Sequence, residues 1–263
     1  MDNFAESFHY DHMKNIRILL FIVLLASQVP TACNEYVSMP VVGDYSVYEV
    51  DVDELSGLCM NRAGTALLSC GDKGVVKEIS FEGEVTDVWT YGSDMEGITV
   101  DPSSGDIYLA IEGKQEVHVL AAPAYDSQEI AFAVSEAVED NYKNSGLEAV
   151  EYYMDDILFV GSQQDANLWQ YRKDGTLISK ISLSSFASEI AGLCYEPQED
   201  LLWVADSKKA MIFICTVEGE LLASYAVPFI DNAESVCVDR ERKCIWVGSD
   251  EDATRLYRID FSF

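Results

Sequence analysis

Residues 190–227 read IAGLCYEPQEDLLWVADSKKAMIFICTVEGELLASYAV. A short opening strand, Ala191-Gly192-Leu193-Cys194, runs into a polar turn from Glu196 to Asp200. The apolar run LLWVA follows, then the polar stretch Asp206-Ser207-Lys208-Lys209, then a second apolar run, MIFIC. Glu218-Gly219 supplies the positive φ of a tight hairpin after it. Short β-rich runs bounded by polar turns describe antiparallel strands rather than helices.

The same course recurs along the chain. Five segments open alike, at Ser56, Glu96, Glu148, Ala191 and Glu234, with separations of 40, 52, 43 and 43 residues. Each opening leads through a turn to a strongly apolar strand: ALLSC, DIYLA, ILFVG, LLWVA and CIWVG. Each then reaches a further strand: VVKEISF, EVHVL, NLWQY, MIFIC and RLYRI. Glu82-Gly83 and Asp174-Gly175 repeat the acid–glycine hairpin, whereas the second unit substitutes a longer loop, Ala121–Gln128, containing Pro123. A period of this length is that of a four-stranded propeller blade. The predicted fold is therefore all-β, a five-bladed β-propeller of four-stranded blades over residues 45–263. The last unit ends at Phe263 after three strands, and an unassigned strand, YSVYEVDV, stands at Tyr45–Val52. It is expected to pair with Leu256–Ile259, complete the last blade and close the ring, since an open stack would expose apolar faces at both ends.

The N-terminus carries a targeting signal. From Met13, Lys14 and Arg17 form a basic region and Ile18–Ala26 an apolar run too short to span a bilayer. Thr31 and Ala32 precede Cys33, which looks like the lipid-modified cysteine of a bacterial lipoprotein, although Pro30 replaces the usual leucine. The expected organisation is a start at Met13 after a spurious residues 1–12, a signal peptide at 13–32, a lipid-anchored linker at 33–44 and the propeller beyond. The expected location is the bacterial cell envelope, with the lipid as the only membrane contact and a monomeric body.

Asp and Glu number 46 against 17 Lys and Arg, a net charge of −29. Such a chain repels phosphate backbones, so nucleic acid is excluded as a partner, whereas cations are favoured in any acidic concavity. For many of the carboxylates, solubility alone is an adequate reason. No C-x-x-C pair exists among the remaining cysteines, and Cys59, Cys194 and Cys237 share one repeat position, which suits packing of reduced, buried thiols. His118 is the one histidine after the signal, and no G-x-S-x-G elbow, P-loop or dinucleotide-binding glycine pattern is present. The strand aromatics Tyr108, Phe159, Trp169, Trp203 and Trp246 read as core.

The passages SGLCMNRAG, DMEGITVDPSSGDIYLAIEG, GLEAVEYYMDDILFVG, IAGLCYEPQEDLLWVADSKKA and AESVCVDRERKCIWVGSD resemble the SdiA-regulated protein family, from about Tyr45 to the C-terminus. That resemblance implies a five-bladed propeller distantly similar to NHL-repeat proteins and a bound calcium ion. It implies no reaction.

The first strand of a blade is innermost, so the opening residues converge on the channel. Three of those five are glutamates, Glu96, Glu148 and Glu234, at one phase of the repeat. Clustered carboxylates repel unless a cation joins them, and oxygen-only ligands suit Ca²⁺. These three are the candidate metal ligands; the residues two places before the five openings are Glu54, Asp94, Gly146, Glu189 and Asn232, several of them further oxygen donors. Asp250-Glu251-Asp252, with Asp206 in a matching loop, reads as solvated surface. The expected function is an exported lipoprotein binding module with a structural Ca²⁺ and an unidentified small-molecule or protein ligand. The alternative is a calcium-dependent hydrolase of lactonase-like or esterase-like type, which would place an open ion position beneath an apolar pocket.

Overall fold

A computed structural model describes residues 43–52, 54–139, 146–250 and 254–263. The expected signal, Cys33 and the expected linker up to residue 42 lie outside these. The described residues form twenty strands in five antiparallel sheets of four. Blade 1 comprises β2 (Gly57–Met60), β3 (Leu67–Gly71), β4 (Val75–Ile79) and β5 (Val85–Thr90). Blade 2 comprises β6 (Met95–Val100), β7 (Ile107–Ile111), β8 (Glu116–Leu120) and β9 (Gln128–Ala133). A one-turn helix, α1 (Ser135–Glu139), precedes blade 3, which is β10 (Leu147–Tyr152), β11 (Ile157–Ser162), β12 (Asn167–Arg172) and β13 (Leu177–Ser182). Blade 4 is β14 (Gly192–Glu196), β15 (Leu201–Asp206), β16 (Met211–Thr216) and β17 (Leu221–Ala226). Blade 5 is β18 (Ala233–Asp239), β19 (Cys244–Ser249) and β20 (Arg255–Asp260), with β1 (Tyr45–Glu49) as its outer strand.

The closing strand takes the predicted place and a shorter length. Tyr45 pairs with Ile259 and Tyr48 with Leu256. Pairing stops at Glu49. Val50 and Val52 are buried in the apolar layer between blades 5 and 1 instead, as the chain crosses to the innermost strand of blade 1. An alternating strand cannot supply that crossing, so the ladder ends where the side chains are needed inward.

The core is five layers, one at each interface between neighbouring blades. Blades 2 and 3 enclose Tyr108, Phe132, Leu158 and Trp169; blades 5 and 1 enclose Leu67, Ile79, Trp246 and Leu256. The second layer of that kind can exist only if the ring is closed. The aromatics read as core are buried as expected. Each fully buried large side chain contributes roughly 1.5–3 kcal/mol. Among the described residues no helix is long and apolar enough to cross a membrane.

The innermost strands meet backbone to backbone. A Cβ on Gly97 would stand 2.6 Å from the Val150 nitrogen, and one on Gly192 would stand 2.6 Å from the Glu234 carbonyl oxygen. Glycine at these places lets strands from adjacent blades converge. The channel there, lined by Gly57, Gly97, Ala149, Gly192 and Ser235, has about 10 Å³ of room. It is a constriction that separates two mouths.

Candidate metal centre

The mouth at the start of the innermost strands is acidic, and local backbone irregularity makes it so. The β6–β7 register shifts between Met95 and Gly97, the β10–β11 register between Leu147 and Ala149, and the β18–β19 register between Ala233 and Ser235. Glu96, Glu148 and Glu234 are the residues left out of these ladders. A bulge re-aims one side chain without disturbing the rest of a strand. Ser56 and Ala191 occupy the same phase and precede their strands.

The three glutamates interact in sequence round the mouth. Burial pushes the Glu96 carboxyl far up, and Glu148, then Asp72, add to this. Burial also pushes Glu148 far up, helped by Glu112, Glu234 and Glu189. Glu234 is pushed up to about 7 by burial, then by Glu189 and Asp250. The tightest group among the described residues is centred on Glu96: one carboxylate oxygen each from Asp72, Asp94 and Glu96 lie within 4.8 Å of one another. Glu96 is thus joined by two aspartates of blades 1 and 2, and Glu148 and Glu234 continue the arc.

Asp94 comes from the set of earlier oxygen donors. Asp72 belongs to a second repeated phase of the sequence, in the loops after the second strands. Asp72, Glu112, Gln163, Ser207 and Asp250 each stand two residues after the second-strand residue that pairs with the innermost strand (Cys70, Ala110, Gly161, Ala205 and Gly248). Three of these five are acids. Asp250, expected as solvated surface, therefore belongs to the mouth: it is half-buried, burial and then Asp72 push it up, and its charge also raises Glu54 and Glu234. Glu251 and Asp252 lie outside the described residues. Asp206 is fully buried and structural, accepting the Ser188 N–H at 2.6 Å and the Lys209 N–H at 3.0 Å.

The arc is unevenly compensated. Glu189, fully buried, is paired by Lys208 at 2.6 Å and accepts the Ser207 hydroxyl at 2.5 Å. Across the ring, a Glu54 carboxylate oxygen is buried without a hydrogen-bond donor. Clustered like charges are held together by counter-charges, shared protons or a cation. The donor set round Asp72, Asp94 and Glu96 is all oxygen, as a hard divalent ion requires.

The opposite mouth, at the far ends of the innermost strands, opens into a cavity of about 310 Å³ walled by Tyr152, Tyr153 and Tyr195. At its floor Glu151, pushed up to about 8 by burial, accepts the Tyr195 N–H at 3.1 Å. Cys59, Cys194 and Cys237 line the same cavity, buried and free, as expected of packing thiols.

The model of the family described as SdiA-regulated matches residues 165–262, which span the last two strands of blade 3 and all of blades 4 and 5 up to β20. The resemblance read from the sequence therefore holds over residues 165–262, and the five-bladed fold agrees with it. No curated protein matches the sequence.

Proposed function

We propose that this propeller, similar to the SdiA-regulated family over its C-terminal blades, is an exported binding module stabilised by one Ca²⁺ in its acidic mouth. One observation carries the reading: the carboxylates of Asp72, Asp94 and Glu96 gather within 4.8 Å on neighbouring blades. These three would hold the ion. Glu148 would reach it from blade 3, and Glu234 and Asp250 would supply the surrounding negative field. A divalent ion there would turn the repulsion that raises these carboxyls into attraction across blade boundaries. Binding to the folded state alone stabilises by mass action, about 2.7 kcal/mol at a hundredfold excess over Kd. For a domain of this size that corresponds to a rise in Tm of roughly 5–10 °C.

The module reading is favoured over a calcium-dependent hydrolase by the position of the tyrosine-walled cavity. It lies beyond the constriction from the acids, whereas a hydrolase would need it directly over the ion. The anchor belongs to the same proposal: Cys33 carries the lipid, and residues 34–44 tether the ring to the envelope.

The test is a calcium titration of chelator-treated protein by thermal unfolding and metal analysis. One equivalent of calcium and an upward shift in Tm are expected, with the shift reduced in Asp72→Asn and Glu148→Gln. Unchanged Tm on adding calcium, with the fold intact, would refute the ion. Labelled-palmitate incorporation that survives Cys33→Ser would refute the anchor.

A further inference from the structure

The second mouth is built on side chains three residues beyond the acidic openings: Cys59, Thr99, Glu151, Cys194 and Cys237, one from each blade. The three cysteines belong to the apolar layers between blades. Glu151 is the acid of the set, and the cavity of about 310 Å³ opens over it. Its carboxyl accepts the Tyr195 N–H at 3.1 Å and the Thr99 hydroxyl. A carboxylate offers about four acceptor sites, so capacity remains.

Glu151 stands apart from the other buried acids in having no counter-charge. Asp101, Glu189, Glu196 and Asp239 are each paired with a base, Lys173, Lys208, Arg240 and Arg242 respectively. Asp206 instead takes two backbone N–H donors and the Ser188 hydroxyl. Glu148 belongs to the acidic mouth. Glu151 has no ion pair among the described residues, yet it is the buried acid that looks onto the tyrosine-walled cavity. A buried carboxyl without a counter-charge is costly in a purely structural role.

The wall round it is aromatic and already fixed in place. Tyr153 and Tyr195 meet edge to face with centroids 4.8 Å apart, and Tyr153 packs on Phe159 at 5.2 Å. The Tyr195 hydroxyl donates to Asp200 at 2.9 Å. The Tyr152 ring carries the Lys173 Nζ at 5.2 Å from its centroid, so one of these rings holds a cation within the fold itself. Rings held in this way bind with little ordering cost. Arg62 also lines the cavity, but its guanidinium donates to the carbonyls of Pro102, Ser103 and Ser104 at 3.2, 2.6 and 3.0 Å.

We propose that this mouth binds a small organic cation, an ammonium group on an apolar body, with Glu151 as counter-charge and the rings of Tyr152, Tyr153 and Tyr195 as walls. Ammonium groups are attracted to aromatic faces, most strongly where water is excluded. A site of about 310 Å³ falls in the range of small-molecule pockets, about 300–1,000 Å³. The net charge of −29 draws cations and repels anions. Binding is balanced by proton release: the ammonium takes the place of the proton that burial keeps on Glu151 near neutral pH, giving an ion pair and one free proton. The other titratable groups facing Glu151 on this wall are the thiols of Cys59, Cys194 and Cys237 and the phenols of the three tyrosines, with Arg62 as the fixed charge. The inference rests on the reading of the chain as a binding module and supplies its ligand class; it does not draw on the ion, from which the constriction separates it.

The test is isothermal titration calorimetry at pH 7 with phenethylamine, phenethyl alcohol and hydrocinnamate, which share one apolar body and differ in charge. Phenethylamine should bind with one equivalent, at least about tenfold more tightly than the alcohol, and hydrocinnamate most weakly. Repeating the titration in buffers of different ionisation enthalpy should show nearly one proton released per amine bound. Glu151→Gln, which keeps the side-chain shape and the acceptor for the Tyr195 N–H, should abolish the proton release and the preference for amine over alcohol. Tyr153→Leu should weaken the amine more than the alcohol. Glu82→Gln, on the exposed outer hairpin of blade 1, should bind as the parent does. No binding of phenethylamine at millimolar concentration, equal affinity for amine and alcohol, or an unchanged preference in Glu151→Gln would overturn the assignment. The calcium shift in Tm is read on the same samples, so failure here with that shift intact overturns this site and not the ion.

Discussion

Replacing Glu151 by glutamine should make the propeller more stable at neutral and alkaline pH, by an amount that grows with pH. Glu151 is buried and its carboxyl is pushed from 4.5 up to about 8, chiefly by desolvation. The folded state therefore holds this proton more tightly than the unfolded chain does. Below about pH 4.5 both states are protonated and the group contributes nothing to the pH dependence. Between about 4.5 and 8 the unfolded chain loses the proton first, so stability falls as pH rises; above about 8 the loss is complete. At roughly 1.4 kcal/mol per unit, the penalty is about 3 kcal/mol at pH 7 and about 5 kcal/mol at pH 9. Glutamine has the same shape, keeps an acceptor for the Tyr195 N–H and never ionises. It forfeits the hydrogen bond from Thr99, which costs about 1 kcal/mol. The variant should be about 1 kcal/mol less stable than the parent at pH 4, about 2 kcal/mol more stable at pH 7 and about 4 kcal/mol more stable at pH 9. Urea unfolding of both proteins at one fixed calcium concentration measures the difference, in which the self-repulsion of the net charge cancels. A difference that stays flat from pH 4 to 9 would refute the reasoning.

Three further outcomes follow from the frame of the propeller. Gly97→Ala drives a Cβ to within 2.6 Å of the Val150 backbone, so chemical unfolding should show a loss of about 2 kcal/mol. Asp101 is fully buried; burial raises its carboxyl, but bonds from Lys173, Ser103 and Ser104 more than reverse this and hold it well below 3.8. Its stabilisation is therefore present above about pH 4 and lost as pH falls further. Asp101→Asn should cost about 3 kcal/mol at pH 7, read by urea unfolding, because Lys173 loses its buried partner. Deleting residues 43–49 bares the β20 edge and uncovers Tyr257, so size-exclusion chromatography should show larger assemblies than the parent forms.

The blades were legible because each innermost strand repeats one course of turn, apolar run and polar loop, and because glycine-bearing hairpins punctuate it. The glutamates were legible by repeat phase alone. Their bulges were not: a residue dropped from a ladder leaves no trace in hydropathy, since Glu148 sits between Leu147 and Ala149 as any mouth residue would. Asp72 and Asp250 were harder still. Both lie in loops that would be polar in any case, so solvation hides their place in the mouth, and only register against the paired innermost strand brings out the common phase. The end of β1 was misplaced for a related reason. Val50 and Val52 keep the alternation of a strand, but burial between two blades, not pairing with β20, sets their orientation.

The closing strand also sets an order of events. Tyr45 is among the first described residues of the chain and its partner Ile259 is among the last. Blades 1 to 4 each consist of consecutive strands and can form as the chain emerges, whereas blade 5 needs both ends at once. Pairing so distant in sequence is slow because a long loop must be closed first. Until then β20 remains a bare edge and the apolar layer between blades 5 and 1 faces solvent. Any folding helper acting on this chain would find its substrate in that last, unclosed intermediate rather than in the individual blades.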